Sequence, residues 1–220
     1  MFDIKGYIFD LDGVIVDTAR FHFLAWRETA RELGFELTER DNERLKGVSR
    51  MESLEIILRL AGIHLDEERK WAITEKKNTR YLEWVDTLRP SDTLPGIAGF
   101  LRSLKEAHRP VALASASKNA RRVISLLEIA SLFDAVIDGS MIEKTKPDPE
   151  IFIKAAQALG IRASECVVFE DAQNGIEAAK AAEMTAVGVG SPEHLGEADL
   201  VIPDFSPSHI YLLKQRGIVR

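Results

Sequence analysis

Gly6-Tyr-Ile-Phe-Asp-Leu-Asp-Gly-Val-Ile-Val-Asp-Thr18 is the stretch on which the reading of this chain turns. Tyr7–Phe9 is a short apolar run, β-branched and aromatic, with the pattern of a buried strand. It ends in two carboxylates, Asp10 and Asp12, and Gly13 then permits a tight turn and a close backbone approach. Open α/β sheets bind ligands at the carboxyl ends of their strands. Two carboxylates held roughly 4 Å apart there, at an effective dielectric near 20, repel by about 4 kcal/mol. A bound cation or a shared proton relieves that repulsion.

Outward from this stretch the chain changes character twice. From Ala19 to Leu88 no strand is visible. Phe21, Leu24, Ala25, Thr29 and Leu33 recur at helical spacing, with Gly34 as a stop. Glu39–Leu45 reads as a short second helix ending at Gly47. A third helix, capped by Ser49, runs through Leu54, Ile57 and Leu58 to Gly62. Glu67–Trp84 is a charged fourth helix with Trp71, Tyr81 and Trp84 as its expected apolar anchors. Residues 17–89 therefore read as a helical domain inserted into a core made of 1–16 and 90–220.

From Leu94-Pro-Gly-Ile97 onward, helices alternate with strands. Expected helices are Ile97–Ala107, Asn119–Leu127, Pro149–Leu159, Ile176–Ala182 and Ile210–Gln215. Expected strands are Val111–Ala114, Val136-Ile137, Val167–Phe169, Ala186–Val189 and an edge strand at Val201-Ile202. That alternation predicts right-handed crossovers and a parallel sheet, so the fold class is α/β, a Rossmann-like parallel core with a helical-bundle insertion.

Bulk properties narrow the function classes. The chain has 220 residues, 45% hydrophobic and 29% charged, with a net charge of −6. Net acidity and scattered basic residues argue against a nucleic-acid surface. No apolar run approaches the ~20 residues of a membrane span, and no secretory leader is visible. The single cysteine, Cys166, precedes an apolar run and is read as a buried small hydrophobe, which suits a reducing cytoplasm. The chain is expected to work as a monomer on a small molecule.

In a parallel sheet the strand ends face one rim. The first strand ends in Asp10 and Asp12, the second in Ser115-Ala-Ser117-Lys-Asn119. Lys146-Pro147 follows the third, and Glu170-Asp171 ends the fourth. Asp10 with Glu170 and Asp171 offers oxygen ligands to a hard cation, and magnesium fits best. Nothing suggests zinc, because the five histidines are dispersed and there is one cysteine. Ser115, Lys146 and backbone N–H groups can grip phosphate oxygens. This set describes phosphoryl transfer through an aspartyl phosphate, with Asp10 on the rigid strand end as nucleophile and Asp12 moving a proton. No P-loop is present.

The order Asp10-x-Asp12, Ser115, Lys146, Glu170-Asp171 resembles the haloacid dehalogenase superfamily of phosphotransferases along the whole chain. The helical insertion resembles the α-helical cap of one of its subgroups. Phe9–Ile15, His22-Phe with Trp26, Leu45-Lys-Gly-Val-Ser-Arg50, Lys77-Asn78, Leu113–Asn119 and Lys146-Pro147 are similar to its hexose-phosphate mutases. The resemblance implies magnesium held by Asp10, the backbone carbonyl of Asp12 and Asp171, with Glu170 close by. It implies phosphoryl contacts from Ser115, Ala116 and Lys146. Arg50, Ser117 and Asn119 would hold a distal phosphate. Lys77 and the loop Lys46, Gly47, Val48, Ser49 would contact the sugar, with Thr18, His22 and Trp26 also on the substrate side. The implied reaction interconverts β-D-glucose 1-phosphate and D-glucose 6-phosphate through β-D-glucose 1,6-bisphosphate. The alternative is a sugar-phosphate phosphatase of the same superfamily. Val16 and Asn174 depart mildly from the family pattern, at positions that are not expected ligands.

Overall fold

The computed structural model describes residues 3–219. Within them the chain runs β1 (Gly6–Phe9), α1 (Ala19–Glu32), α2 (Glu39–Asn42), α3 (Arg50–Ala61), α4 (Glu67–Val85) and α5 (Ile97–Glu106). It continues through β2 (Val111–Ala114), α6 (Ala120–Leu126), β3 (Ala135–Ile137), α7 (Glu150–Leu159), β4 (Cys166–Glu170) and α8 (Gln173–Ala181). It closes with β5 (Thr185–Val189), β6 (Leu200–Ile202) and α9 (Pro207–Gln215). Two compact units result: Met1–Asp17 with Arg89–Arg220, and Thr18–Leu88.

In the first unit all six strands pair in parallel in the order β3-β2-β1-β4-β5-β6. The order reverses direction at β1, the usual ligand position of a doubly wound sheet. β1, β2, β4 and β5 are buried along their whole length, which is why they read as unbroken apolar runs rather than as alternation. Successive side chains serve opposite faces. Ile8, Ala112, Val168 and Ala186 join Phe152 and Ala155 of α7 and Ile176 and Ala179 of α8 in one core layer. On the other face Phe9 and its register partner Phe169 stack at 4.6 Å, and both meet Phe100 of α5 and Phe205. Phe9 is fully buried, so Phe9→Ala removes about 3–5 kcal/mol. Cys166 is buried too, and burial pushes its thiol up to about 12, so it behaves as a small apolar side chain.

The second unit packs Trp26 and Ala30 of α1 against Leu37, Leu45 and the Leu54, Ile57 and Leu58 face of α3. The expected second helix is α2 followed by a 3-10 turn at Glu43–Leu45, started by a capping box between Thr38 and Asp41. Ser49 caps α3 by accepting from the Glu52 N–H at 3.2 Å. One expected anchor fails. Trp71 is 55% exposed, while Thr74, Lys77, Tyr81 and Val85 form the buried face of α4. The position one turn before Thr74 on that face is taken by Lys70, whose ammonium pairs with Glu55 of α3 at 2.6 Å, and Trp71 beside it turns outward. Two further helices begin earlier than periodicity suggested. α8 starts at Gln173, and α9 starts with Pro207 in its first turn after Ser206.

Among the described residues no helix is long and apolar enough to cross a membrane.

Candidate active site

The site of the first unit grows out of the ends of β1 and β4. The ladder extends one residue past β1, with the Asp10 N–H donating to the Phe169 carbonyl at 3.0 Å, so Asp10 sits on rigid backbone. Its carboxylate is almost fully buried. Lys146, from the loop before α7, reaches it: Nζ donates to Asp10 Oδ1 at 2.6 Å and to Glu170 Oε2 at 2.7 Å. The same ammonium lies 4.9 Å from the centre of the Phe152 ring, so the apolar floor under it is also a weak cation acceptor. Burial alone pushes the Lys146 pKa down, but Asp10 and Glu170 outweigh it and the value ends above the ordinary lysine range. Burial raises Glu170 to about 7, with Lys146 opposing the rise and Asp10 adding to it.

Glu170 uses both oxygens, the second accepting from the Ala172 N–H at 3.1 Å. That bond fixes the turn into α8. Two glycines make room for these acids. A Cβ on Gly13, whose φ is +77°, would lie 2.2 Å from Asp171 Oδ2. A Cβ on Gly175 would lie 2.1 Å from the Glu170 carboxyl carbon.

One oxygen each from Asp10, Glu170 and Asp171 lies within 4.8 Å of the others. Three carboxylates without histidine or cysteine make a donor set for a hard, oxygen-preferring cation. Asp12 stands outside this trio and is only partly buried.

Past β2 the chain forms two successive turns. The Ser115 N–H donates to the Ile137 carbonyl at 3.0 Å, tying the loop to β3. Ser115 Oγ then accepts from the Ser117 N–H at 3.1 Å, and Ser117 Oγ from the Asn119 N–H at 3.2 Å. Ser115 is buried, whereas Ala116, Ser117 and Asn119 are half-buried. Both hydroxyls keep their own protons available for donation, as phosphate recognition requires.

The second unit carries its own cluster of cations. Lys77 is 2% exposed, and its Nζ donates to His22 Nδ1 at 2.7 Å. With Nδ1 accepting, the imidazole proton sits on Nε2. The ammonium also faces the rings of Trp26 at 4.7 Å and Tyr81 at 5.1 Å, and Tyr81 stacks on His22 at 4.0 Å. Burial first, then the charges of Lys77 and Arg50, hold the His22 pKa well below its ordinary value, so the ring is neutral. Arg50 opens α3, and its Nη1 donates to Glu75 of α4 at 2.6 Å. Lys46 pairs with Glu43 at 3.1 Å. Gly47 turns the loop with φ +70°, Val48 follows half-buried, and Thr18 is fully buried ahead of α1.

Trp26 lies in the core cluster of this unit, 2% exposed, and its ring forms a wall beside Lys77. Sequence reasoning did not find Phe152 beneath Lys146, Tyr81 on His22, or Glu75 on Arg50. The last pair is 25 residues apart, beyond any local signal.

These features coincide with the comparisons to known proteins. The haloacid dehalogenase-like hydrolase family model matches residues 4–183, and the chain belongs to that family. It is 42% identical over 214 residues to the β-phosphoglucomutase of Bacillus subtilis, covering 96% of this chain and 95% of that protein. A crystal structure of β-phosphoglucomutase from Clostridium difficile superposes with a TM-score of 0.92 at 40% identity, covering 99% of this chain and all of that one. A fructose-1-phosphate phosphatase of Escherichia coli is 33% identical over 187 residues, 84% of this chain and 95% of that protein.

Proposed function

We propose that this chain is an isomerase that interconverts β-D-glucose 1-phosphate and D-glucose 6-phosphate, working through an aspartyl phosphate on Asp10 and β-D-glucose 1,6-bisphosphate. One observation carries the reading. The buried Asp10 shares one acidic cluster with Glu170 and Asp171 and takes a hydrogen bond from the Lys146 ammonium, on a chain similar along its length to a mutase.

Asp10 is the nucleophile, because its strand-end backbone is fixed and Lys146 holds one of its oxygens. Asp12 on the turn is the acid/base. It takes the proton of the 6-hydroxyl as that oxygen bonds to phosphorus and the bond to Asp10 breaks. Once the bisphosphate has turned round, its 1-phosphoryl group passes to Asp10, and Asp12 returns the proton to the C1 oxygen as the bond from that oxygen to phosphorus breaks. Lys146, the Ser115 hydroxyl and the Ala116 N–H hold the phosphoryl oxygens as charge shifts across them. Magnesium, held by Asp10, Asp171 and the Asp12 carbonyl with Glu170 alongside, would neutralise charge on the transferring group.

A mutase must bind two phosphates: Ser115, Ala116 and Lys146 are assigned to the transferring one, and Arg50, Ser117 and Asn119 are the donors expected for the distal one. The Lys46–Ser49 loop and Lys77 contact the sugar. The partner is a small hexose phosphate, and every group in this scheme comes from one chain.

The test supplies β-glucose 1-phosphate, magnesium and a trace of the bisphosphate, and follows glucose 6-phosphate and free phosphate separately. Glucose 6-phosphate as the main product is expected. Free phosphate as the main product would replace the mutase by a sugar-phosphate phosphatase.

A further inference from the structure

The cations of the second unit differ in how they are neutralised. Lys77 is buried against an imidazole and two rings. Arg50 instead has a carboxylate on it: Glu75 Oε1 lies 2.6 Å from Nη1, with the arginine side chain 22% exposed and the glutamate 64% exposed. Glu75 stands on the open face of α4, two residues before Lys77, and bonds across to the first residue of α3.

A guanidinium grips an oxyanion through paired N–H groups along one edge. Glu75 occupies one Nη, so an arriving phosphate either displaces it or shares the guanidinium with it. In the shared case it meets a like charge at close range.

We infer that Glu75 is a built-in competitor for Arg50, a carboxylate stand-in that weakens phosphate binding on this unit and sets how much anionic charge a ligand must bring to hold there. This rests on the reading of Arg50 as a phosphate ligand. Glu75 is a specificity-determining residue acting through Arg50. An exposed pair of long side chains orders little, so loss of orientation on removing Glu75 is smaller than relief from competition. A dianionic phosphate outcompetes the carboxylate; a singly charged ligand gains less over it.

The experiment measures KM and kcat for β-glucose 1-phosphate in the full-length protein, and the inhibition constant of inorganic sulfate, at low and moderate salt. Glu75→Gln is expected to lower KM by about two- to fivefold and to tighten sulfate inhibition by a similar factor, with the gain shrinking as salt rises. Glu75→Ala should do the same. Glu68→Gln removes the same charge two turns away on α4 and should leave both constants unchanged. In an Arg50→Gln background the Glu75→Gln effect should vanish, because the competition has lost its object.

An unchanged or raised KM in both Glu75 variants overturns the inference. Equal gains from Glu68→Gln overturn it as well, since net charge would then explain them. If Arg50→Gln itself leaves KM untouched, the fault lies in the assignment of Arg50. If Arg50→Gln raises KM and neither Glu75 variant lowers it, only the competitor role is lost.

Discussion

Two lysines of this chain are buried to the same depth, 2% exposed, in opposite surroundings. Lys146 lies between two carboxylates, at 2.6 Å and 2.7 Å, and its charge is matched on the spot. Lys77 rests on a neutral imidazole between two aromatic faces. The first arrangement is held by Coulomb attraction in a dry environment, strong but intolerant of losing a member. The second includes two ring faces and a hydrogen bond to an imidazole, each weaker than a buried ion pair. A donor that must yield to a transferring phosphoryl group is suited to the first setting. A donor that should keep its positive field for an incoming anion is suited to the second.

Four measurements would break or sharpen that contrast. The largest effect is expected at the acid that Lys146 serves: Asp10→Asn should lower turnover by more than about 10³-fold while leaving the fold intact. Retained activity would remove Asp10 as nucleophile. Next, Lys146→Met strands two buried carboxylates, and chemical denaturation should show a loss of about 3–5 kcal/mol. A loss near that expected for Lys77→Met would erase the distinction between the two lysines.

Lys77→Met keeps the aromatic slot filled and should cost only about 1–2 kcal/mol. It also removes one of the charges that depress His22, so the imidazole pKa read by NMR should rise towards its ordinary value. An unmoved titration would mean that burial and Arg50 set it without Lys77.

The smallest effect is on stability against pH. His22 has a folded pKa below that of the unfolded chain, so on acidification the unfolded chain binds the proton first. The stability held by neutral His22 is full above about pH 6.5 and is lost as pH falls from there towards the folded pKa. Urea unfolding of wild type and His22→Gln across this range should show the wild-type slope reduced in the variant. Parallel curves would sink the account.

The parallel sheet and its rim were legible because the signals are local. Tyr-Ile-Phe before Asp10, Val-Ala-Leu-Ala before Ser115 and Val-Val-Phe before Glu170-Asp171 each carry strand and chemistry in one string. The rule that parallel strand ends face one way then brings Asp10, Lys146, Glu170 and Asp171 together without coordinates. The second unit resisted the same treatment. Helical periodicity finds α1, α3 and α4 but leaves open which of two adjacent residues faces inward, and Lys70 displaced Trp71 through an ion pair to another helix. Trp26 packs in the core of its unit, which the sequence could not indicate, because an aromatic residue on an amphipathic helix carries the same signature whether it packs or contacts a ligand. Glu75 on Arg50 depends on how α3 meets α4, which no spacing in the chain records.

The acidic corner also depends on two side chains that are missing. At Gly13 and Gly175 even one methyl group would land on the carboxylates of Asp171 and Glu170, at 2.2 Å and 2.1 Å. In a saturation library scored for activity, these two positions should be as empty as Asp10 itself, although neither glycine carries a reacting group. Evolutionary drift around this site is therefore limited by volume as much as by charge, and a designer retuning the acids would have to leave both gaps untouched.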